Sequence, residues 1–380
     1  MAPRVLHVAP NLFGDVFGGA ERYALELSRA MAKQVTTTLV TFGPKSRQER
    51  IGELNIEVLR NWIDFRRFRF DPLNPFLTKY LGPADIIHCH QPHTMMSSMA
   101  LLYARATRKL IFATDLGGGG YGLHRIVNVT QWYSGHLHIS EFSRTHFGHR
   151  ELPGARVVFG GVDPERFSPD DTVARSGAVL YVGRLLPHKG VNYLIEATDA
   201  KTPLTIIGQP FPHAQRFQQD LLRLAEGKRV TFIEYCADRE IIEAYRRALC
   251  IVLPSVHTTV YGEYHPIPEL LGQVLLEGMA CGAPAICTNV TSLPEIVEDG
   301  VTGFVVPPND SGALRDRIEW LRDRPSQARQ MGLMARSRVE EKFSWQAAVS
   351  RCLEAYGINY ETAALSEPQL PPTVMEARRD

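Results

Sequence analysis

The stretch "PELLGQVLLEGMACGAP", residues 268–284, places Glu269 and Glu277 eight positions apart in otherwise apolar surroundings, with Gly272 between them. A buried carboxylate without a partner is costly, so two of them in such a stretch need partners or a ligand. Paired acids cleave glycosides, with carboxyls about 5 to 9.5 Å apart. Eight residues of helix rise about 12 Å, which argues against that pairing. Hydrolysis would also leave the cations of a second segment unexplained. In "YVGRLLPHKGVNYLIEA", Arg184 follows Gly183 at a strand end and Lys189 precedes Gly190 at a helix start. A guanidinium fork and an ammonium beside a helix N-terminus make a candidate diphosphate clamp. Solvated surface charges are the alternative.

Three further groups could line a site. "VAPNLFGDVFGGAERYALELSRAMA" runs from a strand through Gly14, Gly18 and Gly19 into a helix, bringing bare backbone to a helix N-terminus. Its spacing matches neither a dinucleotide fingerprint nor a P-loop, and ordinary turn glycines remain an alternative. "IIHCHQPH" sets His88, His90 and His93 near a strand end. His88 and His90 share a strand face, as metal ligands would, yet no carboxylate accompanies them at ligand spacing. Polar lining of a cleft is preferred, and no metal is expected. "RNWIDFRRFRFDP", in residues 60–70, interleaves Arg60, Arg66, Arg67 and Arg69 with Trp62, Phe65, Phe68 and Phe70. The preferred reading is a half-buried strand or loop whose aromatics join the core; the alternative is peripheral contact with a membrane surface.

These groups need a scaffold. At 380 residues the chain exceeds what one core usually fills. A net charge of +1 gives no reason to expect a nucleic-acid partner. Six cysteines without a C-x-x-C pair, mostly beside aliphatic residues, read as buried free thiols in a reducing compartment. No signal peptide is evident and no run of about 18 apolar residues occurs, so a cytoplasmic location is expected. Strand-like runs alternate with helical patterns: "RVLHVA", "TTTLVTF", "DIIHC", "LIFAT", "LHIS" and "RVVF" first, then "AVLYVG", "LTIIG", "VTFIE", "CIVLP" and "PAIC". Helical stretches fall at 20–33, 94–106, 141–148, 190–199, 213–226, 238–248 and 310–323. Such alternation predicts parallel sheets covered on both faces. The pattern restarts near Ala178 after a turn-rich linker at about 163–177, so two doubly wound α/β domains should face each other across a cleft. Their bounds are expected at 1–165 and 171–343. The tail 358–380 is polar and proline-bearing.

"GGVDPERFSP", "YVGRLLPHKG", "PELLGQVLLEGMACGAP" and "LPEIVEDGVTGFVVPPND", in this order, resemble the retaining GT-B glycosyltransferases of family 4, also called glycosyl transferase group 1. The resemblance spans roughly residues 4 to 357. It implies two Rossmann-like domains and transfer of a sugar from a nucleotide-diphosphate sugar, UDP or GDP type, to a hydroxyl acceptor. That is hexosyltransferase chemistry of the kind used in polysaccharide or glycolipid biosynthesis. A helix near 344–357, "FSWQAAVSRCLEAY", would cross back to the first domain. Glu269 and Glu277 fit the family's E-x7-E motif, which implies sugar contact for Glu269 and ribose contact for Glu277. Arg184 and Lys189 would stabilise the leaving diphosphate, since no D-x-D motif is present to bridge a metal. Gly18, Gly19, Gly183, Leu271, Gly272, Gln273 and Val274 would complete the donor site, with Gly272 keeping its backbone uncovered. His90, His93, Gly117 and Gly118 would line the acceptor side together with Asp115, which stands where many relatives place a catalytic-cleft histidine. Glu234 replaces a usual glycine beside the base. No cofactor is implied. A nucleotide-sugar epimerase or an inactive nucleotide-sugar-binding subunit remains open.

Overall fold

Four-residue runs such as Val5–Val8 are buried at every position, as strands covered on both faces must be. The computed structural model describes residues 3–10, 19–62, 71–117, 119–210 and 214–358. Its first sheet has eight strands: β1 Val5–Val8, β2 Thr37–Gly43, β3 Arg47–Ile51, β4 Leu54–Arg60, β5 Ile86–His90, β6 Leu110–Thr114, β7 Gly135–His138 and β8 Ala155–Val157. They lie in the order β3-β4-β2-β1-β5-β6-β7-β8, parallel except for β3 against β4. Exposed charges on "RQERI" blunt the β3 edge. A second sheet has six strands: β9 Val179–Val182, β10 Leu204–Ile207, β11 Val230–Ile233, β12 Cys250–Leu253, β13 Ala285–Thr288 and β14 Gly303–Val306. It runs β11-β10-β9-β12-β13-β14, parallel throughout.

Both sheets reverse strand order at their first strand, β1 between β2 and β5, and β9 between β10 and β12. Ligand crevices open at such switch points, outside the carboxyl ends of the strands. Helix α1, Gly19–Ala32, follows β1 and buries Tyr23, Leu27 and Met31.

The chain crosses between the sheets twice, and the two crossings touch. Val162 N donates to Phe343 O at 2.8 Å, and Trp345 N donates to Val162 O at 3.2 Å. Beyond this point the helix Trp345–Ala355 packs against α1, its Trp345 ring edge-on to Tyr23. The Tyr356 hydroxyl hydrogen-bonds to His88 Nδ1 at 2.7 Å inside the first domain. All six cysteines are unpaired. Among the described residues no helix is long and apolar enough to cross a membrane.

Candidate functional site

A loop ending at Gly272 separates the two glutamates, and the helix Gln273–Ala280 starts there. Gly272 adopts φ 93°, and a Cβ at this position would stand 2.7 Å from Leu293 Cδ2. It is buried, so the glycine answers to backbone shape and packing rather than to an uncovered backbone. Leu271 is buried beside it, Val274 is half-buried, and the Gln273 amide donates to Gly161 O at 2.7 Å, at the domain crossing.

Glu269 ion-pairs with Lys189, and both side chains are 12% exposed. Ser255 Oγ donates to the same carboxylate oxygen at 3.2 Å, while Lys189 also donates to Pro268 O at 3.2 Å. A pair this shielded holds because the extra bonds satisfy both ions; removing one partner from such a site costs roughly 3–5 kcal/mol. Gly183 ends the β9 loop, and Arg184 beyond it is exposed. Lys189 thus meets the segment that leads into the helix, at Pro268 and Glu269, while Arg184 is exposed.

Glu277 is 3% exposed, on the helix face turned toward the helix Asp238–Arg247. Tyr245 of that helix donates its hydroxyl to Oε2 at 2.9 Å, and Arg22 of α1 stands 3.5 Å from Oε1. Burial pushes the Glu277 carboxyl up, and the charge on Arg22 offsets part of that rise. Tyr245 and Ser255 carry no distinguishing mark in the sequence. Arg22 alone had a signal, lying three residues after the Gly18-Gly19 pair.

Across the cleft, the structure brings His93 and Asp115 together. His93 Nε2 donates to Asp115 Oδ2 at 2.9 Å, and Gly117 N donates to Oδ1 at 2.9 Å. Both oxygens of Asp115 are thus engaged, which makes it a residue that orients His93 rather than a free base. A Cβ on Gly117 would lie 2.4 Å from Leu270 Cδ1, so this loop touches the residue next to Glu269. The His124 ring lies 4.3 Å from that of His93, tilted by 55°. His136, His138 and His149 lie behind, and burial pushes His136 down to about 4 and His138 to about 3. Ser140 Oγ donates to Leu270 O at 3.0 Å, and the Glu295 carboxylate accepts from Glu141 N and Phe142 N at 2.7 Å each.

Several expectations change. His90 is fully buried, so it does not line the cleft. It belongs with His7 and His88, whose ligand atoms all lie within 4.8 Å of one another. His7 Nδ1 meets His90 Nε2 at 2.9 Å, and His88 uses Nε2 on Thr114 and Nδ1 on Tyr356, both at 2.7 Å. His88 thereby fastens the end of the closing helix to the first sheet, while His90 Nδ1 has no hydrogen-bond partner among the described residues. Trp62 is 63% exposed and packs edge-on against the 60% exposed Phe76, outside the core. Phe65, Arg66, Arg67, Phe68, Arg69 and Phe70 lie outside the described residues, as do Gly14, Gly18 and Gly118. Gly19 opens α1 and is exposed, and Glu234 is exposed past the end of β11.

Two family models match the chain: Glycosyltransferase Family 4 over residues 17–166 and Glycosyl transferases group 1 over residues 169–338. A D-inositol 3-phosphate glycosyltransferase from Mycolicibacterium smegmatis is 31% identical over 218 residues, covering 53% of this chain and 46% of the relative. A glycogen synthase from Mycobacterium tuberculosis is 31% identical over 228 residues, covering 57% and 51%. The chain spans about half the length of these curated relatives. Among solved structures, HepE of Anabaena in complex with UDP and glucose superposes with TM-score 0.71 at 19% identity, covering 93% of this chain and 99% of that one. Sucrose-phosphate synthase from Thermosynechococcus elongatus gives 0.72 at 20%, covering 93% and 98%. At these identities the superpositions speak for the fold.

Proposed function

The chain belongs to the GT-B glycosyltransferases of the family 4 kind, and we propose that it moves a sugar from a nucleotide-diphosphate donor to a hydroxyl acceptor with retention. One observation carries this: Lys189 pairs with Glu269 on the segment that leads into the helix Gln273–Ala280, which itself carries the buried Glu277. Lys189 and Arg184 would meet the diphosphate together with the helix N-terminus, and no divalent ion would be required. Glu269 would hold sugar hydroxyls, and Glu277 the ribose diol. Structural neighbours with UDP, UDP-glucose or ADP bound support a nucleotide donor.

In mechanism, the acceptor hydroxyl attacks from the face the diphosphate leaves. Its proton passes to the departing phosphate oxygen. The cations stabilise charge that grows on the leaving group, which is where binding strengthens between ground state and transition state. The His93–Asp115 pair lies on the opposite wall, where the acceptor would enter.

A panel of nucleotide sugars screened by thermal shift identifies the donor, because a bound ligand raises apparent stability. Transfer to a hydroxyl acceptor, product with the donor's anomeric configuration, and full activity in EDTA are expected. Inverted product rejects retention, and activity abolished by EDTA and restored by Mn²⁺ rejects the metal-free route. Sugar isomerised without any acceptor would point instead to an epimerase.

A further inference from the structure

Three loops of the first domain bear on the short segment that carries Glu269. After β6, a Cβ on Gly117 would run into the Leu270 side chain; after β8, one on Gly160 would run into Leu271. After β7, Ser140 Oγ donates to Leu270 O at 3.0 Å, and the Gln273 amide reaches Gly161 O at 2.7 Å. Next to Ser140, the Glu295 carboxylate accepts from Glu141 N and Phe142 N at 2.7 Å each. Glu295 stands in the second domain, in the short helix Leu293–Ile296 after β13. Its backbone is held from behind, because Arg338 donates to Glu295 O at 3.1 Å and to Ile296 O at 2.9 Å. Leu293 of the same helix packs where Gly272 lacks a Cβ.

We propose that Glu295 and Ser140 are positioning residues for the transfer, a clasp that fixes Glu269 against the acceptor wall. The inference rests on the role given to Glu269 under the proposed function. Residues 265–272 form neither helix nor strand, so no ladder of the second sheet fixes this carboxylate. Its bonds to Lys189 and Ser255 set its place within the second domain. Its place relative to His93 and Asp115 is left to the contacts made by Leu270 and Leu271. Apolar contact is non-directional and permits sliding, whereas the Ser140 and Glu295 bonds fix a register. Burial raises the Glu295 carboxyl, and the Phe142 and Glu141 N–H groups offset part of that rise, as bonds to a charged acceptor do. Arg184 and Lys189 belong to the second domain alone. Nucleotide affinity should therefore not depend on the clasp, while the transfer step should.

The test compares Glu295→Gln, Ser140→Ala and Ser143→Ala in the full chain. In Glu295→Gln an amide nitrogen faces an N–H donor, and one bond is lost. Ser140→Ala removes the bond to Leu270 O. Ser143→Ala loosens only the start of the helix Glu141–His146, where its hydroxyl bonds to the Ser140 backbone. Hydrogen exchange should rise at both 140–144 and 269–273 in the first two variants, and at 140–144 alone in the third. With the donor and acceptor found for the wild type, kcat should fall about tenfold in the first two and hold in the third. The nucleotide Kd, by isothermal titration, should stay within about twofold throughout. Faster exchange confined to 140–144 in Glu295→Gln makes that carboxylate a helix cap and overturns the clasp. So does an unchanged kcat, or nucleotide affinity lost in step with kcat. Should the wild type transfer no sugar, the assigned function falls, whereas joint exchange in the two segments still upholds the clasp.

Discussion

The two walls of the cleft are built from different chemistry. On the second domain stand full charges: Arg184, Lys189, Glu269 and Glu277. On the first stand His93, held by a carboxylate whose oxygens are both engaged, and His124 beside it, with His136, His138 and His149 packed behind them. Burial keeps His136 and His138 neutral at pH 7. Charged groups suit a diphosphate, whose departure needs a strong field. An imidazole can give or take a hydrogen bond from a hydroxyl. The asymmetry thus matches a charged donor on one side and a hydroxyl acceptor on the other.

The comparison is broken most severely within the second domain. Glu269→Gln should lower kcat by 10²-fold or more, about 3 kcal/mol, if its charge faces the reacting sugar as proposed. Glu277→Gln should instead raise donor KM by about tenfold and spare kcat, since the proposed ribose contact would hardly change as the glycosidic bond breaks. Steady-state kinetics on both variants decides, and reversed effects would exchange the two roles.

A smaller effect is expected on the opposite wall. His93→Gln and Asp115→Asn should each raise acceptor KM by roughly three- to tenfold, the value of one oriented hydrogen bond. Donor KM should stay put. Should donor KM move as much as acceptor KM, the walls are not divided in this way.

The gentlest probe is acid. Burial pushes His7 down to about 3 and places His88 and His90 well below the ordinary range. These depressed values mean that the unfolded chain takes up protons near pH 6.5 while the folded chain does not. Stability is therefore full above 6.5 and declines as pH falls toward the folded values. Each such histidine contributes a slope of at most about 1.4 kcal/mol per pH unit. Urea unfolding at pH 7, 6 and 5.5 should show the decline, and His90→Gln should reduce it by about one proton. A flat profile would mean that these histidines are protonated in the folded state.

Strands read from sequence agree closely with the structure where burial on both faces leaves a continuous apolar run. "LIFAT" is β6 residue for residue, and "LTIIG" overshoots β10 by one. β3 and β4 escaped notice because "RQERI" and "LNIEVLR" mix charge into an edge hairpin that has one wet side. The helix Pro325–Lys342 was missed because its long polar face hides the few residues it buries. Among site groups, Glu269 and Lys189 were legible because carboxylate and ammonium stand out in apolar or glycine-rich stretches. Their contact was not, since 80 residues separate them and only the fold brings them together. The same holds for Arg22 with Glu277. His90 was misplaced because alternation along a strand assigns it to a face without saying what covers that face. Tyr356, near the far end of the chain, is part of what does.

That coverage has a bearing on how the molecule is made. His88 belongs to β5, the fifth strand in from the sheet's β3 edge, yet its buried partner is synthesised 268 residues later. On the ribosome the first sheet emerges early but stays unsealed, its imidazoles still open to water. The second domain is translated in between, as one uninterrupted segment able to form its own core. Only when Trp345–Ala355 emerges and folds back along α1 does the first domain close. The half of the protein begun first is the last to be finished.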